Sequence, residues 1–194
     1  MKSNFLHVKK AAIWCVVIIM AIFVCIGLDI IVADAGSRAK MSTPFVSGVV
    51  AYVHDGDTIT IQKSHGKRIK IRFYGVDCPE TEKEDAWKAQ PYSGAARAFV
   101  RELILNKQVA VRLNGDKSYD RLVGEVFYDG RSLSRELVKN GLAWWNKKYE
   151  PHDSDLKRLQ HKARKKRIGL WKDARPVPPW VHRYRAQSAS RRKK

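Results

Sequence analysis

The sequence predicts an α+β domain in which five short strands are interrupted by helices. Short runs of β-branched and aromatic residues are separated by turn dipeptides, and two later segments repeat apolar residues at helical spacing. Hydrophobic residues make up 44% of the 194-residue chain, which is enough for one buried core and excludes a wholly disordered chain. Five strands in a small domain make an OB-type barrel one candidate, but pattern alone does not fix the topology.

The first part of the domain is predicted to be a meander of strands. They cover residues 46–53, 58–62 and 67–74. Asp-Gly and His-Gly dipeptides between these runs are typical of turns. In the third run isoleucine and phenylalanine alternate with Arg68, Lys70 and Arg72, so the basic side chains are expected to face outward. The alternation therefore predicts that Arg72 lies on an exposed face.

Helices and strands alternate through the rest of the domain. Ser93 is predicted to be the N-cap of a helix that ends near Asn106. The later predicted elements are strands at residues 109–113 and 122–128 and helices at residues 133–139 and 154–166. Beyond Trp171 several prolines interrupt regular structure, and a mobile basic tail is expected there.

The chain divides into parts of different composition. They are a signal segment at residues 1–35, a linker at 36–44, a domain at 45–172 and a Pro-rich, then basic, tail at 173–194. Lysines precede an apolar run at residues 11–28, and small residues typical of a signal peptidase site follow it. This pattern predicts export, to the periplasm or the medium. The alternative is an uncleaved anchor, since the run approaches the roughly 20 residues that span a bilayer.

Charge and cysteine content narrow the range of partners and metals. The 38 Lys and Arg against 19 Asp and Glu give a formal net charge of +19, which favours nucleic acid or an anionic membrane surface. Cys15 and Cys25 lie in the apolar run, so Cys78 has no disulfide partner within the domain. Cysteine and histidine spacing does not fit a structural zinc site, and a monomer is expected.

Acidic residues concentrate in two short segments, residues 54–58 and 72–80. Alone, the Asp-Gly-Asp that ends at Asp57 is a turn signal. Asp77 and Glu80 in the second segment change that interpretation, because clustered carboxylates are costly without a cation. A hard divalent ion such as Ca²⁺ prefers oxygen ligands and can orient a water molecule for attack on phosphorus. Arg72 and Arg121 are candidates for binding the phosphate, although most arginines are simply solvated.

Four motifs in order resemble those of the staphylococcal nuclease family. They are VHDGDT, IRFYGVDCPE, SYDRLVGEVFY and DGRSLSRELVKNGLAW, and the resemblance covers about residues 46–171. It implies an OB-fold barrel with about three helices and an endonuclease that depends on Ca²⁺. It further implies hydrolysis of both DNA and RNA to products that end in a 3′-phosphate.

The resemblance also assigns roles to individual residues. Asp57, Asp77 and the backbone carbonyl of Cys78 are implied to ligate Ca²⁺. Glu80 is implied to be the general base or a carboxylate that orients the water, and Arg72 and Arg121 to bind the scissile phosphate and stabilise its transition state. Tyr119 is implied to lie beside that phosphate.

Two departures from the family pattern concern substrate contacts. Two tyrosines of the family that flank the bound base correspond here to Lys147 and Tyr149, so one stacking surface is replaced by a cation. Asp120 stands where glycine is usual before the second arginine, which affects the expected pose of Arg121.

Three functional hypotheses follow from the sequence. They are a nuclease, a catalytically inactive nucleic-acid-binding module on the same fold, and an anchored basic domain that docks to anionic surfaces. Carboxylates beside an anionic ligand repel it unless a metal lies between them, so the acidic residues favour the nuclease.

Overall fold

A barrel of paired strands surrounds the core in the computed structural model, which describes residues 44–84 and 86–192. These residues belong to one compact unit, Thr43–Lys194. The strands are β1 (Phe45–Val53), β2 (Thr58–Gln62), β3 (Arg68–Phe73), β4 (Val76–Asp77), β5 (Gln108–Ser118), β6 (Arg121–Tyr128), β7 (Arg131–Ser132) and β8 (Trp144–Trp145). The helices are α1 (Ser93–Ile104), α2 (Leu133–Lys139), α3 (Ser154–Lys165) and α4 (Pro179–Arg191), with a 3₁₀ turn at Gly169–Lys172.

One sheet of order β3-β2-β1-β5-β6-β7 closes on itself because β3 also pairs with β6. The closing pairs are parallel and join Ile71 to Leu122 and Phe73 to Gly124, whereas the other pairs of this sheet are antiparallel. The predicted five-stranded OB-type barrel of β1, β2, β3, β5 and β6 is therefore confirmed. Four helices accompany the barrel within the described residues, one more than the resemblance implies.

The core lies inside the barrel and beneath α1 and α2. Alternate side chains of β2 and β3, among them Ile61, Ile71 and Phe73, are almost fully buried, as the period of two predicts. In α1 the buried residues Ala96, Val100 and Ile104 recur at helical spacing. These apolar stripes fix which face of each element turns inward, and hence which side chains remain for a site.

Some predicted boundaries differ from the structure. Ser93 was expected to cap α1 but is its first helical residue, because Tyr92 takes the N-cap position with a left-handed φ of 69° and no side-chain cap bond. The helix ends at Ile104, since Leu105 has extended backbone angles. Strand β5 runs on to Ser118 and forms a long hairpin with β6 that apolar alternation does not reveal.

Helix α4 replaces part of the irregular tail that the sequence predicts. Pro179 occupies its first turn, where proline needs no N–H partner and its fixed φ favours the helix. The signal segment and the apolar run at residues 11–28 lie outside the described residues. Among the helices of residues 44–84 and 86–192, none has the length and hydropathy to cross a membrane.

Gly141, in the segment that follows α2, packs closely against the backbone of Ile168 and Gly169. Gly141 has a φ of 61°, and a Cβ atom there would lie 2.1 Å from the carbonyl oxygen of Ile168. We expect Gly141→Ala to lower the free energy of unfolding by at least about 2 kcal/mol, because backbone strain adds to this clash. Denaturant unfolding of the full chain measures the change.

Gly94→Ala is the matched control for this substitution. Gly94 lies in α1, and a Cβ atom there would meet nothing within 4 Å. Alanine at this helical position is expected to leave stability unchanged or raise it by up to about 1 kcal/mol. Equal effects of the two substitutions would show that the contact with Ile168 does not constrain the fold.

Candidate active site

Barrel closure brings the two acidic segments together at one end of the barrel. The turn between β1 and β2 carries Asp57, whose carbonyl accepts a hydrogen bond from the N–H of Phe73 at 2.8 Å. Arg72 is paired across the sheet with Thr58, the residue after Asp57. A turn at Gly75, with a φ of 74°, then leads into β4 and Asp77. Residues distant in sequence are thus held on adjacent backbone.

Arg72 connects the two aspartates that the sequence singled out. Its Nη1 donates to Oδ1 of Asp57, and its Nη2 donates to Oδ1 of Asp77 at 2.6 Å. Its side chain is only 18% exposed, so the expectation of an exposed Arg72 is wrong. The physical reason is that the outward face of β3 is covered here by the two carboxylates, which bind the guanidinium at the floor of a cleft.

Asp57 is a buried carboxylate with an unfavourable environment for charge. Its residue is 2% exposed, and burial raises the pKa of its carboxyl to about 8, although Arg72 and the backbone N–H of Cys78 lower it. That N–H donates to Oδ2 at 2.7 Å. Burial also raises the pKa of the Cys78 thiol, which makes a thiolate nucleophile unfavourable.

Arg121 reaches the same cleft from the start of β6. Its Nη1 donates to the hydroxyl of Thr58 at 3.3 Å, and that hydroxyl donates to Oδ1 of Asp57 at 3.2 Å. Its Nε and Nη2 are held by the backbone carbonyl and the hydroxyl of Ser118. The neighbouring Asp120 forms an ion pair with Lys70 at 2.7 Å. Arg121 is therefore fixed by neutral groups and keeps its charge for an anion.

Glu80 lies after β4 and is positioned by a buried glutamine. The side-chain oxygen of Gln90 accepts the N–H of Glu80 at 3.0 Å, and the amide of Gln90 donates to the carbonyl of Val177 at 3.0 Å. Burial raises the pKa of the Glu80 carboxyl, while the guanidinium of Arg183 lowers it. Gln90 thus connects the loop of Glu80 to the segment that precedes α4.

Arg183 was not singled out by the sequence, yet it contacts two of the predicted site residues. Its Nη2 lies 2.8 Å from Oδ2 of Asp77, and its Nη1 contacts Oδ1 of Asp77 and Oε1 of Glu80. The side chain projects from α4, a helix that the sequence pattern did not predict. Neither the proline at the N-terminus of this helix nor its basic residues indicate an active-site contact.

A cleft of about 1290 Å³ is lined by Asp57, Arg72, Asp77, Glu80, Arg121 and Arg183, among others. Tyr119 stands at its rim, 95% exposed and with a φ of 59°, and Tyr149 is 64% exposed. Lys147 is exposed but does not line the cleft. The structure therefore brings together the predicted catalytic and metal-binding residues and both tyrosines, and leaves Lys147 outside. The roles of all these residues stay predictions.

The chemistry of the cleft suits a hard divalent cation. Asp57 and Asp77 offer buried carboxylate oxygens close enough to share one guanidinium, and a cation would offset the cost of burying two negative charges. Within residues 44–84 and 86–192, no three Asp, Glu, His or Cys side chains group tightly enough to hold a metal. A cation here would thus depend on two carboxylates, with the carbonyl of Cys78 and water completing its shell.

Comparison with known proteins identifies the family of the chain. The model of the staphylococcal nuclease homologue family matches residues 70–173. An uncharacterized endonuclease of Escherichia coli O157:H7 is 36% identical over 143 residues, which are 72% of this chain and 86% of that protein. An uncharacterized endonuclease of Haemophilus influenzae is 33% identical over 148 residues, 76% of each chain. The staphylococcal-like nuclease CAN1 of Arabidopsis thaliana is 30% identical over 117 residues, 60% of this chain and 34% of that protein.

Proposed function

The chain belongs to the staphylococcal nuclease family and is a nuclease that hydrolyses nucleic acid, and we propose that it is a Ca²⁺-dependent endonuclease for both DNA and RNA. The proposed products end in a 3′-phosphate. The observation that carries the proposal is the joint position of Asp57, Arg72 and Asp77 at the floor of one cleft. The two carboxylates could bind a metal, and the arginine beside them could bind a phosphate.

Asp57 and Asp77 would hold the cation, with the carbonyl of Cys78 as a further ligand. When bound, Ca²⁺ supplies positive charge beside the phosphate and orients the attacking water. The guanidinium of Arg72, which contacts both of these carboxylates, would bind the phosphate oxygens beside the cation. Its planar fork can donate two parallel hydrogen bonds to an anion.

Arg121 and Glu80 complete the proposed reaction. Glu80 takes a proton from the water that attacks phosphorus, and its raised pKa improves it as a base. The bond from phosphorus to the 5′ oxygen breaks, that oxygen takes up a proton, and the phosphate stays on the 3′ end. Arg121 would stabilise the charge that develops on the phosphate oxygens.

Tyr149 and Tyr119 are proposed substrate contacts at the rim. An exposed phenol ring can stack on a nucleobase without sequence preference, and such stacking contributes about 1–3 kcal/mol per base. Lys147 would contribute only a charge contact with the phosphate backbone of the nucleic acid, since it is exposed and does not line the cleft. A substrate with many phosphates also fits the net charge of +19.

The products test this proposal directly. End-labelled single-stranded DNA and RNA are digested with the full chain in Ca²⁺, and the fragments are then treated with a phosphatase. We expect cleavage of both polymers and fragments whose 3′ ends lose a phosphate. Fragments with 3′-hydroxyl ends would overturn the proposed direction of bond breakage, and cleavage of only one polymer would overturn the proposed substrate range.

Export through residues 1–35 and a monomeric state are further proposals. The support for export is the basic and then apolar pattern of the segment, and residues 11–28 would be the anchor if the segment is retained. Cell fractionation with N-terminal sequencing of the recovered protein tests whether the protein is exported and whether the segment is retained. A full-length protein in the cytoplasm would exclude export.

A further inference from the structure

Arg183 of α4 binds the carboxylates that the proposed metal would need. Its two terminal nitrogens contact both oxygens of Asp77, and Nη1 also contacts Oε1 of Glu80. Asp77 is 1% exposed, while the Arg183 side chain is 30% exposed. A partly solvated guanidinium that lines the cleft therefore binds a buried carboxylate.

A divalent cation at Asp77 would compete with this guanidinium. Each oxygen of Asp77 already accepts a hydrogen bond from an arginine, with Arg72 and Arg183 sharing Oδ1. Cations a few ångströms apart repel strongly where water is excluded. Arg72 is held on β3 inside the barrel sheet, whereas Arg183 is held on a peripheral helix, so Arg183 is the one that can leave.

Helix α4 is attached to the domain by few buried contacts. Its one buried residue is Pro179, at the N-terminal end. Trp180 packs edge-on against Trp144 with ring centroids 5.8 Å apart, and a ring nitrogen of His182 lies 2.9 Å from the carbonyl oxygen of Lys88. A helix with so little buried apolar surface can detach without opening the core.

We propose that α4 is a strap that closes the metal-free site, with Arg183 in the place of the cation, and that divalent metal binding at Asp57 and Asp77 releases it. Release also frees Glu80, whose carboxylate must accept a proton from water in the proposed reaction. The inference rests on the metal site of the proposed function. Since binding and release are linked, removal of Arg183 strengthens metal binding by the factor with which α4 weakens it.

The test measures Ca²⁺ binding and helix protection on the full-length protein, without reference to activity. Isothermal titration compares wild type with Arg183→Gln and with the control Arg185→Gln, which removes the same charge from an exposed position of α4. We expect Arg183→Gln to bind Ca²⁺ about 5- to 150-fold more tightly. The control is expected to match wild type, apart from a small effect of net charge.

Hydrogen exchange of residues 179–191 is the second measurement. In wild type and in Arg185→Gln, Ca²⁺ is expected to speed exchange of the α4 amides. In Arg183→Gln exchange is expected to be fast already in a chelator. This outcome is particular to a strap, since a helix that only packs on the domain would not respond to the metal.

Different failures have different meanings. Equal or weaker Ca²⁺ binding by Arg183→Gln would overturn the inference, and weaker binding would identify Arg183 as a residue that positions Asp77 and Glu80. Protection of α4 that persists in saturating Ca²⁺ would overturn it as well, while the proposed function stands. Binding of Ca²⁺ by neither wild type nor variant would overturn the proposed metal site, and the inference with it.

Discussion

Replacing Arg72 with alanine is expected to lower kcat/KM for DNA cleavage by about 10³- to 10⁵-fold, the range for an arginine that stabilises a phosphoryl-transfer transition state. Arg72 is the one side chain that contacts both Asp57 and Asp77 from within the barrel sheet. Its guanidinium is therefore the group best placed to meet a phosphate beside a bound cation. Steady-state cleavage of a short oligonucleotide measures the loss.

The effect of Arg72→Ala on stability has to be separated from its effect on catalysis. Removal of the arginine leaves two buried carboxylates without their shared partner, which costs about 3–5 kcal/mol in comparable sites. Arg72→Lys keeps a positive charge but loses the fork, so it is expected to fold better and still cleave poorly. Both variants are checked by thermal unfolding before the kinetics are interpreted.

Arg68→Ala is the matched control for Arg72→Ala. Arg68 lies on the same strand, is exposed, and its Nε donates to the side chain of Gln62 at 3.4 Å. It is expected to cleave at nearly the wild-type rate, with a slightly weaker dependence on salt. A folded Arg72→Lys protein with wild-type kcat/KM would contradict the role assigned to Arg72.

Asp57→Asn is expected to weaken Ca²⁺ binding by more than about 100-fold and to abolish cleavage at physiological Ca²⁺. The substitution keeps the shape of the side chain but removes the charge that a hard cation requires. A loss of this size is reasonable, since even groups that merely support metal ligands contribute 10- to 100-fold. Isothermal titration and cleavage assays across a Ca²⁺ series measure the two effects.

The fold is expected to survive Asp57→Asn. Burial raises the pKa of this carboxyl to about 8, so the charged form is already costly in the metal-free protein and a neutral amide removes that cost. Asp155→Asn is the control, because it removes the same charge from an exposed ion pair with Arg158 on α3. If Asp57→Asn binds Ca²⁺ as tightly as this control, Asp57 is not a ligand.

The barrel could be predicted from local sequence because its strands show the signals on which such predictions rest. Strand β2 and helix α2 have the predicted bounds, since alternation in β2 and the Asn-Gly stop after α2 are both local. The second half of β5 was missed because its residues are polar and pair with β6 in an extended hairpin. The N-terminus of α1 was misplaced because Tyr92 adopts a left-handed conformation that its type does not predict.

The sequence predicted which residues lie in the candidate site but not which contacts they make with one another. Motifs identified Asp57, Asp77 and Arg72, because turn residues and alternating charges are visible along the chain. The mutual pairing of these groups depends on barrel closure, which joins β3 to β6 and is not encoded in any one segment. Arg183 lies far along the chain from its partners, and only the tertiary structure reveals that α4 reaches the cleft.

The most direct test of the central claim is digestion of denatured DNA by the full-length protein, in Ca²⁺ or in a chelator. The claim is that Asp57 and Asp77 bind a cation which, with Arg72, makes the cleft catalytic. We expect endonucleolytic fragments in Ca²⁺ and intact DNA in the chelator, with activity restored when Ca²⁺ is returned. Equal cleavage under both conditions would contradict the metal-dependent mechanism, and intact DNA under both would contradict the assignment of Ca²⁺ as its cofactor.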